Sequence, residues 1–412
     1  MITFDELYHH YLKKSVTDSD SGLSEAEYDT SQLDCLLNPK NYAPVILNGE
    51  CTCGEDGQNA CAARCIFNAI VRTPEGKLTI DKDRCSGCAA CIDACTSGKL
   101  TASRDILPAL DAIRSAKGPV YAMIAPAFTG QWNAGVTPGM LRSAFKAMGF
   151  SGMVEVALFA DILTLKEAFE FDKNVNTDTD FQLTSCCCPV WISMIRKVYH
   201  ELMPHVPGSV SPMIACGRTI KYLHPDAVTV FIGPCLAKKA EAREPDIADA
   251  VDYVLTFQEV RDIFEAMNIH PEEMEESERD HSSRAGRIYA RSGGVSEAVK
   301  KTVEQLSPYR SIAVKTRHAD GVPACRQMIE EIRAGKGMAN FFEGMGCVGG
   351  CVGGPKALIS KETARDNVNA YGNEALYQTP LENPYVAELL KKLRFETVEE
   401  FLDKSDIFTR QF

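Results

Sequence analysis

Seventeen cysteines in a chain of 412 residues pose the first chemical question. Eight fall between Cys51 and Cys95, eight more lie from Cys186 to Cys351 in short clusters, and Cys35 stands apart. Dense cysteine without a secretory signal points to metal or redox chemistry rather than disulfides. Cys85, Cys88, Cys91 and Cys95 read C-x2-C-x2-C-x3-C. Four soft thiolates at that spacing wrap a cubane 4Fe–4S cluster, and the fourth typically serves the second cluster of a pair. Cys51, Cys53, Cys61 and Cys65 form a less regular upstream half whose last C-x3-C repeats the pattern. C-x2-C pairs also bind structural zinc, but four cysteines at 2-2-3 spacing favour iron–sulfur.

Three more groups each follow an apolar strand. They are TSCCCPVW at Thr184–Trp191, GPCLAKKAE at Gly233–Glu241, and FFEGMGCVGGCVGGP at Phe341–Pro355. In an open α/β sheet, ligands gather beyond the carboxyl ends of the strands, so these loops are placed to converge. Glycines around Cys347 and Cys351 allow close backbone approach to a bulky inorganic group.

The elements that must position these groups follow from periodicity. Residues 1–50 read as a helical, acidic opening and a Pro/Asn-rich linker with no chemistry of their own. Residues 51–105 are the cysteine-rich unit, 106–378 a larger domain, and 379–412 a polar linker and a terminal helical segment packing on it. GPVYAMIAPA, FQLTS, VTVFIG and ANFFEGM read as buried strands. TPGMLRSAFKAMGF, DILTLKEAFEF, WISMIRKVYHEL and FQEVRDIFEAM read as helices. Their alternation predicts α/β layers on a largely parallel sheet. Residues 271–287 read as a charged, exposed loop. The net charge of −12 disfavours nucleic-acid binding. No apolar run approaches the roughly 20 residues of a membrane span, and the first residues lack a secretory h-region. A cytoplasmic location is the default expectation.

The cysteine-rich unit resembles a bacterial two-cluster ferredoxin. That resemblance implies one 4Fe–4S cluster on Cys51, Cys53, Cys61 and Cys95, and another on Cys85, Cys88, Cys91 and Cys65. The proline that usually follows the fourth cysteine is replaced by Ile66 and Thr96. The three later motifs resemble the signatures of iron-only (FeFe) hydrogenases: TSCCP, PCxxKKxE and FxExMxCxGGCxxGG. The match runs in the family's order from about residue 51 to the end. It implies an α+β ferredoxin-like domain followed by an α/β catalytic domain with its cofactor between two subdomains.

The family's cofactor is an H-cluster, a 4Fe–4S cubane joined through one cysteine to a di-iron unit with CO, cyanide and an azadithiolate bridge. By the resemblance, Cys187, Cys235, Cys347 and Cys351 hold the cubane, Cys351 being the shared thiolate. Lys238 hydrogen-bonds a cyanide, a fitting partner for a buried ammonium. Met345 packs near the di-iron unit. Ala125, Pro126 and Ala127 form a strand-end loop over it, and Ser292, Gly293, Gly294 and Val295 another pocket segment. Cys186 relays protons to Glu167 and Glu170, which share one helix face. Ser209 is near the place of the family's relay serine. The implied reaction is H2 ⇌ 2H+ + 2e−. The implied partners are a soluble electron carrier such as ferredoxin, and maturation proteins for di-iron insertion.

The chain departs from the pattern at Cys188, which makes the first motif TSCCCP, as in a distinct subgroup. Counting from Thr184 makes Cys186 the relay, Cys187 the ligand and Cys188 neither. Counting from Pro189 shifts both roles by one. The first register keeps the strand frame of Gln182–Thr184. Gly233 and Gly346 stand where many members have methionine and alanine. Cys216, Cys325 and Cys35 have no motif around them and read as small buried hydrophobes. A hydrogen sensor carries a similar site, and a hydrogenase-like assembly protein keeps the cubane cysteines. Cys186 and Lys238 favour the enzyme over the latter.

Overall fold

The computed structural model describes residues 2–17, 23–51, 53, 59–184, 187–277, 281–403 and 406–411. Eleven strands lie among these residues: β1 Val45–Leu47, β2 Ile70–Arg72, β3 Leu78–Ile80, β4 Leu100–Ala102, β5 Val120–Ile124, β6 Gly152–Glu155, β7 Gln182–Leu183, β8 Val228–Gly233, β9 Tyr253–Thr256, β10 Thr316–Asp320 and β11 Phe341–Met345.

Two parallel sheets carry the larger part of the chain. One has the order β6-β5-β8-β9, the other β10-β11-β7. The central strands β5, β8 and β11 are largely apolar and buried along nearly their whole length. That is the mark of a parallel sheet covered on both faces. The expected strands in GPVYAMIAPA, VTVFIG and ANFFEGM are these three. The sequence reading missed β6, β9 and β10, all edge strands. The sequence TRHAD of β10 is half-exposed and shows no apolar run. The four expected helices form, within a few residues at their ends, as Pro138–Ala147, Ala157–Asn174, Pro189–Lys197 and Phe257–Met267. Their starts are set locally. Thr137 accepts from Met140 N, and Thr256 with Glu259 forms a capping box.

The cysteine-rich unit is built on two antiparallel pairs, β1 with β4 and β2 with β3. It therefore takes one strand from the stretch before residue 51. The helix Phe4–Thr17 buries Phe4, Leu7, Tyr8 and Leu12, one stripe at helical spacing. Its Tyr8 hydroxyl donates to Asp262 at 2.9 Å, and the Arg104 guanidinium lies over the Tyr8 ring. Val386, Leu393, Phe401, Leu402 and Phe408, near the other end of the chain, join the same core.

The segment 271–287 is the exposed loop expected from its charge only in its first part, where Glu272, Glu273, Glu275 and Glu276 are exposed. Ser282, Ser283 and Arg287 are buried. The reason is Asp161, fully buried on the helix Ala157–Asn174. Its carboxylate accepts from Ser283 N and Oγ, Gly286 N and Asn383 Nδ2. Burial pushes Asp161 up to about 6, against the pull of those hydrogen bonds. Asp161→Ala strands the buried donors Ser283 N, Ser283 Oγ and Gly286 N, at about 1–3 kcal/mol each, while Asn383 Nδ2 keeps the His281 carbonyl. The expected loss is at least 3 kcal/mol, read from urea unfolding of the apoprotein. A loss under 1 kcal/mol would show that the knot does not hold the segment.

Candidate iron–sulfur and catalytic site

Sixteen of the cysteines are described, all as free thiols, and twelve of them gather in three tetrads. Cys91 feels Cys88, Cys85 and Cys65; burial first, then those neighbours, push it up to about 12. Cys85 is pushed up to about 11 by burial, with Cys88 and Cys65 adding to it. Burial and the Cys65 thiol raise Cys88. In the outer group, burial and then Cys95 and Cys51 raise Cys61. Hydrogen bonds from Ser97, Thr96 and Cys51 hold Cys53 below the usual thiol range. The neighbours of each tetrad are thus crossed between the two half-motifs: Cys65 sits with 85, 88 and 91, and Cys95 with 51, 53 and 61.

A third tetrad lies where the two parallel sheets point their carboxyl ends. Cys235 follows β8, Cys347 and Cys351 follow β11, and Cys188 caps the helix after β7. Burial pushes Cys235 up to about 11, with Cys188 adding and Lys238 opposing. Cys347 and Cys351 are raised by burial and by the thiols of Cys235 and Cys188. Cys188 Sγ also accepts a hydrogen bond from Gly346 N at 3.2 Å. Buried thiols crowded together resist ionising, and a bound cationic cluster removes that penalty. The donor set therefore fits cubanes. Among the described residues, no group of three or more His, Cys, Asp or Glu converges on a single metal ion.

Beside this tetrad is a small apolar cavity. Its lining includes Cys187, Cys351, Lys238, Ala125, Pro126, Phe231 and Tyr289. Lys238 Nζ lies 2.6 Å from Glu241 Oε2, both side chains buried. Burial works against the ammonium, but Glu241 and the thiols of Cys235 and Cys351 outweigh it and push its pKa up. A fixed cation thus lines an apolar cavity that also borders Cys351, which suits a bound anion.

The two family departures have a steric cause. A Cβ on Gly233 would stand 2.8 Å from the Phe231 ring, and one on Gly346 2.5 Å from Val190 Cβ. Phe231 takes up space that a longer residue 233 would fill. Met345 is buried at the end of β11, and a Cβ on Gly350 would lie 2.8 Å from its sulfur. Gly293, at φ +75, donates its N–H to Glu343, whose other oxygen accepts from Ser296 N and Oγ. Glu343 thereby clamps the Ser292–Val295 segment. Sequence reasoning quoted Glu343 and Glu241 inside motifs without giving either a role.

Glu167 is buried on the helix Ala157–Asn174, and Gln182 of β7 donates to its backbone carbonyl at 3.5 Å. Glu170, one turn on, is paired at 2.5 Å with Lys166, itself 1% exposed. Glu167 is thus buried and Glu170 half-buried in an ion pair, not the solvated face that charge alone suggests. Ser209 is fully buried. Ser185 and Cys186 lie outside the described residues.

The cysteine-rich unit docks directly on this site. A Cβ on Gly87, at φ +73, would stand 2.8 Å from Ala237 Cα, two residues from Cys235. Cys347 also feels Cys88 electrostatically.

Residues 118–355 match the family model of the iron only hydrogenase large subunit, C-terminal domain. This chain belongs to that family. It is 25% identical over 398 residues to the NADP-reducing hydrogenase subunit HndD of Solidesulfovibrio fructosivorans, covering 81% of this chain and 67% of that one. It is 25% identical to iron hydrogenase 1 of Clostridium pasteurianum over 63% of this chain and 52% of the relative. The chain thus spans between about half and two thirds of these relatives. A solved structure of the [FeFe]-hydrogenase HydA1 from Chlamydomonas reinhardtii superposes with a TM-score of 0.61 at 21% identity. It covers 75% of this chain and 98% of that one, which shows the shared α/β fold. No helix among the described residues is long and apolar enough to cross a membrane.

Proposed function

We propose that this member of the iron-only hydrogenases catalyses H2 ⇌ 2H+ + 2e−, passing electrons through two accessory 4Fe–4S clusters to a soluble carrier such as ferredoxin. The observation that carries the reading is the third tetrad beside an apolar chamber with a buried lysine. When bound, the H-cluster supplies the site of H2 splitting and the first store of electrons. Maturation proteins would insert its di-iron part.

The chain's residues do the rest. We assign the cubane to Cys188, Cys235, Cys347 and Cys351, with Cys351 the shared thiolate. This adopts the register counted from Pro189. It rests on the neighbours of Cys188 and on its hydrogen bond from Gly346, neither of which a sequence displays. Cys187, lining the chamber, becomes the relay thiol in place of Cys186. Lys238 balances the anionic ligands, and the apolar walls of Ala125, Pro126 and Phe231 exclude water. Protons pass from the thiol to Glu167 and Glu170. Cys85, Cys88, Cys91 and Cys65 hold the accessory cluster nearer the cubane, and Cys51, Cys53, Cys61 and Cys95 the outer one. A two-module division follows from these roles, with the cysteine-rich unit reaching back to β1 at Val45.

Hydrogen evolution from reduced dye by anaerobically matured protein tests the reading, and its absence from fully loaded protein would refute it. Positioned proton transfer is worth about 10²–10⁴-fold. Glu167→Gln is accordingly expected to keep the cofactor and cut turnover at least 100-fold. Undiminished turnover would show that protons leave elsewhere.

A further inference from the structure

Cys325 belongs to none of the three tetrads, yet it is fully buried beside the third. Its Sγ lies 3.3 Å from the Met345 carbonyl and 3.4 Å from that of Ala319. The Met345 carbonyl also accepts from Gly321 N at 2.8 Å. The N–H of that same peptide unit belongs to Gly346, and it is the one that donates to Cys188 Sγ. The contacts form one chain: Cys325 S–H and Gly321 N–H onto the Met345 carbonyl, and the opposite end of the amide onto the Cys188 sulfur. Gly346 itself cannot shift far, because Val190 closes the space where its Cβ would be.

A carbonyl that accepts hydrogen bonds makes the N–H of its own amide a better donor, by about 10–30% per bond. Hydrogen bonds to cluster sulfurs help set the reduction potential, and partners beyond the ligands tune it. A donor aimed at a ligand sulfur favours the reduced, more negative cluster. We propose that Cys325 is a positioning residue for the cubane: it fixes and polarises the 345–346 amide, and so raises the potential of the cluster held by Cys188. The inference rests on Cys188 being a cubane ligand. It goes beyond that reading by giving a redox role to a thiol that binds no metal.

The test compares wild type with Cys325→Ala, Cys325→Val and Cys325→Ser. Valine keeps an apolar side chain in the site but donates nothing; serine keeps a donor. The midpoint of the cubane's one-electron step is read by infrared spectroelectrochemistry of the matured protein. The alanine and valine variants are expected to shift to more negative potential, and serine to return toward wild type. Equal potentials in all four proteins, an equal shift in all three variants, or loss of the cubane from alanine and valine alike would overturn the inference. A Cys188→Ser protein with a full complement of cubane iron would instead refute the ligand assignment beneath it.

Discussion

Cys188→Ser is expected to strip the active-site cubane and abolish hydrogen turnover, while Cys187→Ala keeps the cluster and loses most of its rate. The two neighbours are separated by their surroundings. Cys188 caps the helix Pro189–Lys197, accepts the Gly346 amide, and faces the thiols of Cys235, Cys347 and Cys351. Cys187 lines the apolar chamber. A serine hydroxyl is a harder and poorer ligand for iron–sulfur than a thiolate, so iron content should fall by the equivalent of one cubane. Alanine at 187 removes a group with an ordinary pKa of about 8.5, able to give and take protons near neutrality, and supplies none. A turnover loss of at least 100-fold with unchanged iron is expected there. Cys186→Ala is expected to keep the cluster and much of the activity. If instead Cys187→Ser loses the cluster and Cys188→Ser retains it, the register counted from Thr184 is correct.

Lys238→Met carries the second large effect, and it appears before any cofactor is bound. Removing the ammonium leaves Glu241 buried without the partner that lies 2.6 Å away. Breaking a buried pair from one side costs about 3–5 kcal/mol, whereas replacing both partners with apolar or neutral groups is close to neutral. Urea unfolding of the apoprotein should show that loss for Lys238→Met and recovery of most of it in Lys238→Met/Glu241→Gln. The double variant should nonetheless fail to retain the di-iron unit, since the chamber has lost its cation. A double variant that is both stable and fully active would show that Lys238 serves the fold alone.

The parts of the site visible in the sequence were those whose chemistry forces a local spacing. Thiolates that share a cubane recur at two- and three-residue intervals, so Cys85, Cys88 and Cys91 declared themselves. Glycines that admit backbone or bulky neighbours marked the loop after β11. Strands β5, β8 and β11 were legible because burial on both faces demands a largely apolar run, even though β11 carries the buried Glu343. Edge strands such as β10 carry no such demand and were missed. Cys188 was ambiguous because an added cysteine satisfies the spacing in either register. Its hydrogen bond from Gly346 spans 158 residues, and the thiols it faces follow β8 and β11. The same holds for Asp161. Its partners Ser283, Gly286 and Asn383 lie on distant segments, so a charged stretch looked solvated when part of it was pinned inside.

The most direct test of the central claim is infrared spectroscopy of the protein after anaerobic maturation. Sharp CO and cyanide stretches on iron are expected, together with iron for three cubanes and one di-iron unit. Lys238→Met should lose the stretches, and Cys325→Val should keep them. Protein that carries its full cubane iron yet shows no CO or cyanide bands would contradict the assignment of a hydrogen-activating centre to this chamber.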